Sequence, residues 1–420
     1  MSLRNFSDLE KWLESVRPDI KAVNWFFALE DMQELMHELG DPQEKIKVMH
    51  VAGTSGKTST CYYIAKMLQL SGRKVGLTVS PHVDEVNERV QINCEPLDEI
   101  EFLKLFDEFT QLPAMKNKNI TYFGMLVAFA YWVFAKKKVD YAVIEVGMGG
   151  RLDATNVIKN KNKICVITDI GLDHTQFLGK DLVSIAKEKS GIIHTNNETF
   201  VANQDSEVLE VFKSVATKNN SNLHVLPKAE INKAPKTLPP FQKRNWSLAK
   251  LAFEFVAKRD NLETKNALSK SAETNIPARM EEFKIGDKTV ITDGSHNAQK
   301  ISALCEGIKQ QHGGNDVAVM VSFASGKDST LKESLSSLKE ISNTLIVTEF
   351  GGQQDLIRKP ISPKKIAEIA KKVGFKNIKV NEDPEIAFDQ LLKTSESIKL
   401  VTGSFFLLNH VRPNIRRIIS

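Results

Sequence analysis

At 420 residues the chain is too long for one comfortable hydrophobic core, so two or three domains are expected. A content of 41% hydrophobic and 26% charged residues excludes a disordered or fibrous protein. The net charge of +5, from 57 basic and 52 acidic residues well mixed, argues against nucleic acid as a partner and leaves room only for a mildly basic cleft that takes anions.

In chain order, Met1 to Trp12 carries acidic residues and an amphipathic pattern, unlike a signal peptide. Lys47–Ala52 reads as an apolar strand ending in Gly53-Thr54-Ser55-Gly56-Lys57-Thr58-Ser59, and a helical pattern runs from Thr60 to Leu70. Strand, glycine loop and helix is the arrangement that aims backbone N–H groups and a helix N-terminus at phosphate oxygens. Lys57 adds a cation for the terminal phosphates, and either Thr58 or Ser59 offers a hydroxyl to Mg²⁺. The usual P-loop spacing wants a glycine at position 51, which is Val51, so the loop is a shorter variant.

A second strand is expected at Val75–Val79. The uncharged stretch Tyr122–Ala135 falls short of the roughly 20 residues that span a bilayer, so it predicts a helix buried against a sheet and no membrane segment. Strand Tyr141–Val146 carries Glu145 near its end, where an acid either anchors Mg²⁺ or simply reaches solvent. Gly147-Met148-Gly149-Gly150-Arg151-Leu152-Asp153-Ala154-Thr155-Asn156 follows, a run whose glycines permit close backbone approach to a ligand. Strand Ile164–Ile170 leads into Gly171-Leu172-Asp173-His174-Thr175, with His174 at the same rim as Glu145 and a candidate metal ligand. Ile185–Gly191 ends a helix whose lysines, Lys187 and Lys189, by themselves do no more than complement its dipole.

Further strands are expected at Thr199–Ala202 and Leu223–Leu226, a loop at Pro227–Pro240, and helices at Trp246–Lys258 and Glu263–Ala272. After a break at Thr274-Asn275-Ile276-Pro277, a second alternating series runs through Thr289–Thr292, Val317–Val321, Thr344–Val347, Ile378–Val380 and Lys399–Val401. Its first strand ends in Asp293-Gly294-Ser295-His296-Asn297. Such alternation predicts an α/β protein: a parallel-sheet, P-loop-containing ATPase domain over 1–275 and a smaller Rossmann-like α/β domain over 276–420, with ligands where strand C-termini face the cleft. Cys61, Cys94, Cys165 and Cys305 have neither disulfide nor zinc spacing, which points to a reducing, cytoplasmic setting.

Taken in order, these segments resemble the folylpolyglutamate synthase/dihydrofolate synthase family of Mur-ligase-like ATP-dependent amide ligases. His50-Val51-Ala52-Gly53-Thr54-Ser55-Gly56-Lys57 is similar to its P-loop, and Ser80-Pro81-His82 with Asn87-Glu88-Arg89-Val90 to its second signature. Glu145–Asn156, Gly171–Thr175 with Phe177-Leu178-Gly179, Asp293–Asn297 and Val401-Thr402-Gly403-Ser404 complete the series. The resemblance implies that Ser80, Glu145, His174 and Lys189 serve two Mg²⁺ sites, with Lys189 carbamylated by CO₂. It further implies that Asn245, Arg279 and Asp293 join the loop residues Gly53 to Ser59 in reaching ATP. Thr121, Leu152, Asp153 and Ala154 then fall where the family contacts the pterin-bearing substrate.

The implied reaction joins L-glutamate to a folate, or to dihydropteroate, through an acyl phosphate, with release of ADP and phosphate by a monomer. The alternatives are a cell-wall Mur ligase and a P-loop nucleotide-binding module that ligates nothing. The chain departs from the family in having Thr58 after the P-loop lysine, Gly124 where a glutamate is common, and Ala278 and Ala298 for a glycine and a proline. Asn24–Glu30 is also unusual: either at least one of its aromatics, Trp25, Phe26 or Phe27, covers the pterin ring and compensates for the missing glutamate, or all three pack under the sheet beside the P-loop strand.

Overall fold

A computed structural model describes residues 4–15, 28–116, 120–313, 316–326, 328–351 and 359–419. Trp25, Phe26 and Phe27 lie outside the described residues. The chain divides into two units, one of Met1–Leu238 with Gln242–Thr274 and one of Pro239–Phe241 with Asn275–Ser420.

Strands form where the apolar runs fall, because a parallel strand covered by helices on both faces has no polar side to show. The first unit holds β1 (Lys47–Ala52), β2 (Val75–Thr78), β3 (Gln91–Ile92), β4 (Glu95–Pro96), β5 (Tyr141–Glu145), β6 (Ile164–Ile167), β7 (Glu198–Val201) and β8 (Asn222–Val225). Their spatial order is β4-β3-β2-β5-β1-β6-β7-β8. β1 pairs in parallel with both β5 and β6, Val51 standing opposite Glu145 and Ala52 opposite Ile167. β2 pairs in parallel with β5 on its other side, with Thr78 opposite Ile144. The segments that follow β1, β2, β5 and β6 therefore leave the sheet at one edge. That shared edge brings residues near 53, 80, 147 and 171 together.

The helix Tyr122–Lys136 is buried nearly all round, as an uncharged stretch must be in water. Thr121 caps it by accepting from Gly124 N at 3.0 Å. Phe129 sits between Phe102, Phe106 and Phe109, with ring centroids 5.0–5.4 Å apart. Truncating such a ring costs about 3–5 kcal/mol, since it leaves a cavity as well as losing transfer energy. Among the described residues, no helix is long and apolar enough to cross a membrane.

The second unit builds its sheet from β9 (Glu281–Ile285), β10 (Lys288–Thr292), β11 (Val317–Val321), β12 (Thr344–Val347), β13 (Asn377–Val380) and β14 (Ile398–Thr402). The order is β13-β12-β11-β14-β10-β9, parallel except for β9.

Four features differ from the sequence expectation. β3 and β4 are two-residue strands around a turn at Asn93 and Cys94, both with positive φ, too short for any periodicity to register. β9 is an edge strand carrying Glu281, Glu282 and Lys284, so no apolar run marks it. The strand expected over Ile164–Ile170 stops at Ile167, because the Asp169 carbonyl turns to accept Thr54 N at 2.8 Å. The Pro227–Pro240 stretch is not all loop: Lys228–Asn232 is helical and a long helix, Pro240–Asp260, starts on its last proline. A first-turn proline is tolerated there because its missing N–H would have no partner within the helix.

Candidate active site

The phosphate-type loop sits between β1 and the helix Lys57–Leu70. Gly56 has φ +90°, and a Cβ there would stand 2.2 Å from Asn245 Oδ1, so only glycine lets the helix start this close to Asn245. Thr54 N and Ser55 N both donate to Asp169 O, at 2.8 and 3.3 Å, and the Thr54 hydroxyl donates to Gly171 O at 3.1 Å. The loop is thus tied down from β6, leaving the first turn of the helix at the open edge. The Ser55 hydroxyl is buried and has no hydrogen-bond partner among the described residues.

Glu145 closes β5 at 3% exposure. Its Oε1 accepts from the Thr58 hydroxyl at 3.0 Å and its Oε2 from Ser80 N at 3.2 Å. Of the two hydroxyls open in the sequence, Thr58 meets the acid, and Ser59 is buried in the helix. His174 follows β6 in left-handed backbone, φ +50°, with Nε2 4.0 Å from Asp173 Oδ1. Lys189 lies buried in the last turn of the helix Leu182–Ser190. Among the described residues no three His, Cys, Asp or Glu side chains gather into a self-contained metal site. One carboxylate beside the Thr58 hydroxyl is nonetheless a donor set that would suit Mg²⁺, an ion that takes few protein ligands besides phosphate oxygens and water.

The glycine run after β5 folds around Asp153. This carboxylate accepts from Met148 N at 2.8 Å, from Thr155 N at 3.0 Å and from the Thr155 hydroxyl at 2.5 Å. Burial raises its pKa, and those bonds from Thr155 and Met148 oppose the rise. Asp153 therefore organises the loop, while Leu152 is the half-buried neighbour and Ala154 is buried. His50 on β1 places Nε2 2.8 Å from the Thr155 hydroxyl, linking the strand before the phosphate-type loop to this turn. On the other side Arg151 N donates to Glu188 O at 2.9 Å and Asn156 Nδ2 to Gly191 O at 3.1 Å. Those bonds stitch the loop to the helix that carries Lys189.

Thr121 spends its hydroxyl oxygen on the helix cap described above. A Cβ at Gly124 would stand 3.0 Å from Ile120 Cγ2 and Met32 Sδ, so a larger residue there requires those side chains to shift. The ring of Phe123 instead packs on Gly147, where a Cβ would approach it to 2.5 Å.

In the second unit Asp293 follows β10 at 2% exposure and accepts from Met280 N and Ser295 N, each at 2.8 Å. Arg279 lies over the Phe405 ring with its guanidinium carbon 4.7 Å from the centroid. A Cβ at Gly294 would sit 2.3 Å from that ring, so the aromatic is seated directly on the turn after Asp293.

Sequence reading missed Asp169 and Arg244. The Arg244 Nη2 donates to Asp169 Oδ1 at 2.5 Å across 75 residues, a separation at which no local pattern exists. Phe123 was in plain view beside Thr121, and His50 within the P-loop run, but neither residue type by itself states a role.

The Mur ligase middle domain matches residues 51–268 and the Mur ligase glutamate ligase domain matches residues 278–405. A dihydrofolate synthase/folylpolyglutamate synthase from Bacillus subtilis is 28% identical over 415 residues, spanning 92% of this chain and 94% of the relative. A folylpolyglutamate synthase from Lacticaseibacillus casei is 33% identical over 309 residues, 66% of this chain and 71% of the relative. A crystal structure of a bifunctional folylpolyglutamate synthase/dihydrofolate synthase with Mn, AMPPNP and L-glutamate bound has a TM-score of 0.82 at 25% identity, covering 98% of both chains.

Proposed function

The chain belongs to the folylpolyglutamate synthase/dihydrofolate synthase family of Mur-type ATP-dependent ligases, and we propose that it joins L-glutamate to the free carboxylate of a folate through an acyl phosphate. Dihydropteroate is included as an acceptor, since the Bacillus subtilis relative, matched over 92% of this chain, carries both names. The observation that carries this reading is the meeting of Thr58 and Ser80 on buried Glu145, beside a loop that ends in Lys57 at a helix N-terminus.

A carboxylate is a poor acylating agent until ATP converts it to a mixed anhydride. Lys57 and the first backbone N–H groups of its helix hold the phosphate chain and stabilise charge on the transferring phosphoryl group. The orphaned Ser55 hydroxyl supplies one further donor there. Glu145, with the Thr58 and Ser80 hydroxyls, holds Mg²⁺, and His174 serves a second ion. Bound Mg²⁺ supplies charge neutralisation and orientation of the reacting oxygens. Asn245, against Gly56, is read as an ATP contact, and Arg279 and Asp293 are carried over as ATP contacts from the family resemblance alone. Leu152, Ala154, Thr121 and Phe123 line the acceptor side, with Asp153 shaping that wall. The amine of glutamate then attacks the acyl carbon, phosphate leaves and the amide forms.

Lys189 reacts as a free amine with CO₂, losing a proton and gaining a carbamate, so that a cation becomes an anion able to bridge metal. Its support is burial in a helix end stitched to the Gly147–Asn156 loop. Lys189→Ala should lose about 10³-fold or more in ligation and regain part of it with a small added carboxylate. An unmodified lysine in a well-resolved nucleotide complex prepared with bicarbonate would refute the carbamate.

ADP release is to be measured with tetrahydrofolate, dihydropteroate and a UDP-linked cell-wall acceptor, each with and without glutamate. Release that needs both glutamate and a pteridine supports the reading. A requirement for the UDP-linked acceptor moves the chain to the cell-wall branch, and release without glutamate makes it a nucleotide-hydrolysing module. We take the enzyme to be a monomer of the cytoplasm, its four cysteines being free thiols. Size-exclusion chromatography and cell fractionation check both points.

A further inference from the structure

Arg279 stands on a backbone that is unfavourable in isolation. Its neighbours Ala278 and Met280 both have left-handed φ, +55° and +49°, a conformation that residues with a Cβ rarely adopt. Such a turn persists only where its surroundings overdetermine it. Here Ala278 N donates to Glu281 Oε2 at 2.9 Å and Met280 N donates to Asp293 Oδ2 at 2.8 Å. Gly294 N donates to Ala278 O at 3.0 Å, and Arg279 N to Ile276 O at 3.2 Å.

Glu281 is itself anchored. The Arg412 guanidinium lies 2.7 and 2.8 Å from its two carboxylate oxygens, with the two side chains 0% and 5% exposed. Arg412 belongs to the helix Phe405–Ile419, whose first residue is the aromatic beneath the Arg279 guanidinium. A single helix thus supports the headgroup of Arg279 through Phe405 and its backbone through Arg412 and Glu281. Stability alone gives little reason for this pair, because a buried carboxylate–guanidinium pair is often replaceable by apolar residues without loss of fold.

We propose that Glu281 and Arg412 are positioning residues for the ligation reaction, whose buried pair holds the Ala278–Met280 turn and so fixes the Arg279 side chain, which donates to Ala278 O at 2.9 Å, in one orientation. The proposal rests on the reading of Arg279 as an ATP contact. Neither residue touches substrate; both act through the turn.

The test compares the full-length Arg279→Ala, Glu281→Met/Arg412→Leu and the triple variant, with KM measured separately for ATP, glutamate and tetrahydrofolate. The double variant should melt below the wild-type temperature but stay folded, because Ala278 N loses its carboxylate acceptor, and it should raise KM for ATP about tenfold and leave the other two within about twofold. Adding Arg279→Ala to it should produce little further change, since both act on one contact. A raised ATP KM in Arg279→Ala with a normal one in the double variant overturns the positioning role and leaves the Arg279 reading standing. A normal ATP KM in Arg279→Ala defeats the reading beneath it. Should the double variant fail to fold, Glu281→Gln decides instead. An ATP KM raised about threefold or more supports the proposal, and a lowered melting temperature with unchanged ATP KM overturns it.

Discussion

The loops after β1 and β5 are neighbours at one sheet edge and both are rich in glycine, yet they are held in opposite ways. The Gly53–Ser59 loop is anchored from outside, by the Asp169 carbonyl and by Asn245 packed on Gly56, and ends directly on a helix N-terminus. The Gly147–Asn156 loop is anchored from within, folding around the Asp153 carboxylate, which accepts from both Met148 and Thr155. External anchoring spends the Thr54 and Ser55 donors and leaves those of the helix's first turn for an anion. Internal anchoring consumes donors and leaves side-chain surface, as an aromatic acceptor requires. The same glycines therefore serve two different kinds of ligand, and composition does not distinguish them.

The sharpest way to break this contrast is Lys57→Ala. The side chain leaves a loop whose packing comes from elsewhere, so ligation should fall about 10²-fold or more with thermal unfolding nearly unchanged. A folded variant with near-normal turnover would remove the loop from catalysis. Asp153→Asn should behave in the other way. An amide cannot accept at both ends, so one nitrogen is left facing a backbone N–H, at a cost of about 1–3 kcal/mol in stability. Its melting temperature should drop together with a rise in pteridine KM while ATP KM holds. An unchanged melting temperature would mean that the loop is not built on this carboxylate.

His194, whose ring meets Lys163 and Ile158 O, also titrates. Burial, and then the Lys163 ammonium 3.2 Å from Nδ1, hold the His194 pKa down at about 4 against an ordinary 6.5. The unfolded chain binds this proton first, so the stability present above pH 6.5 is lost as pH falls towards 4. His50 and His82, also pushed well below the ordinary value by burial, act in the same direction. Melting temperatures at pH 7 and pH 5 should differ less in His194→Asn than in the parent chain. An equal drop in both would assign the acid sensitivity to other groups.

The smallest expected effect lies at the rim. Arg151 pairs with Glu188 at 3.0 Å but its side chain is 53% exposed, so Arg151→Ala should cost under about 1 kcal/mol. A larger loss in urea unfolding would mean that this pair, and not Asp153, secures the loop.

Much of the first unit was legible in the chain because parallel strands buried on both faces appear as unbroken apolar runs, and the P-loop run Gly53–Ser59 carries its chemistry in residue type and spacing. Glu145 and His174 were legible as polar residues at the ends of such runs. The segments that misread were short or sided: the two-residue β3 and β4, and the edge strand β9, whose Glu282 and Lys284 face out while Glu281 is buried. Only tertiary structure decided that Thr58, and not Ser59, meets Glu145, since that choice depends on where a helix lands beside a strand 87 residues later. It alone decided that Asp153 turns inward, that Asp169 and Arg244 brace the phosphate-type loop, and that Arg412 reaches Glu281 across 131 residues. Local sequence determines which groups a segment offers. Which of them remain available to a ligand is settled by the hydrogen bonds that distant segments make first.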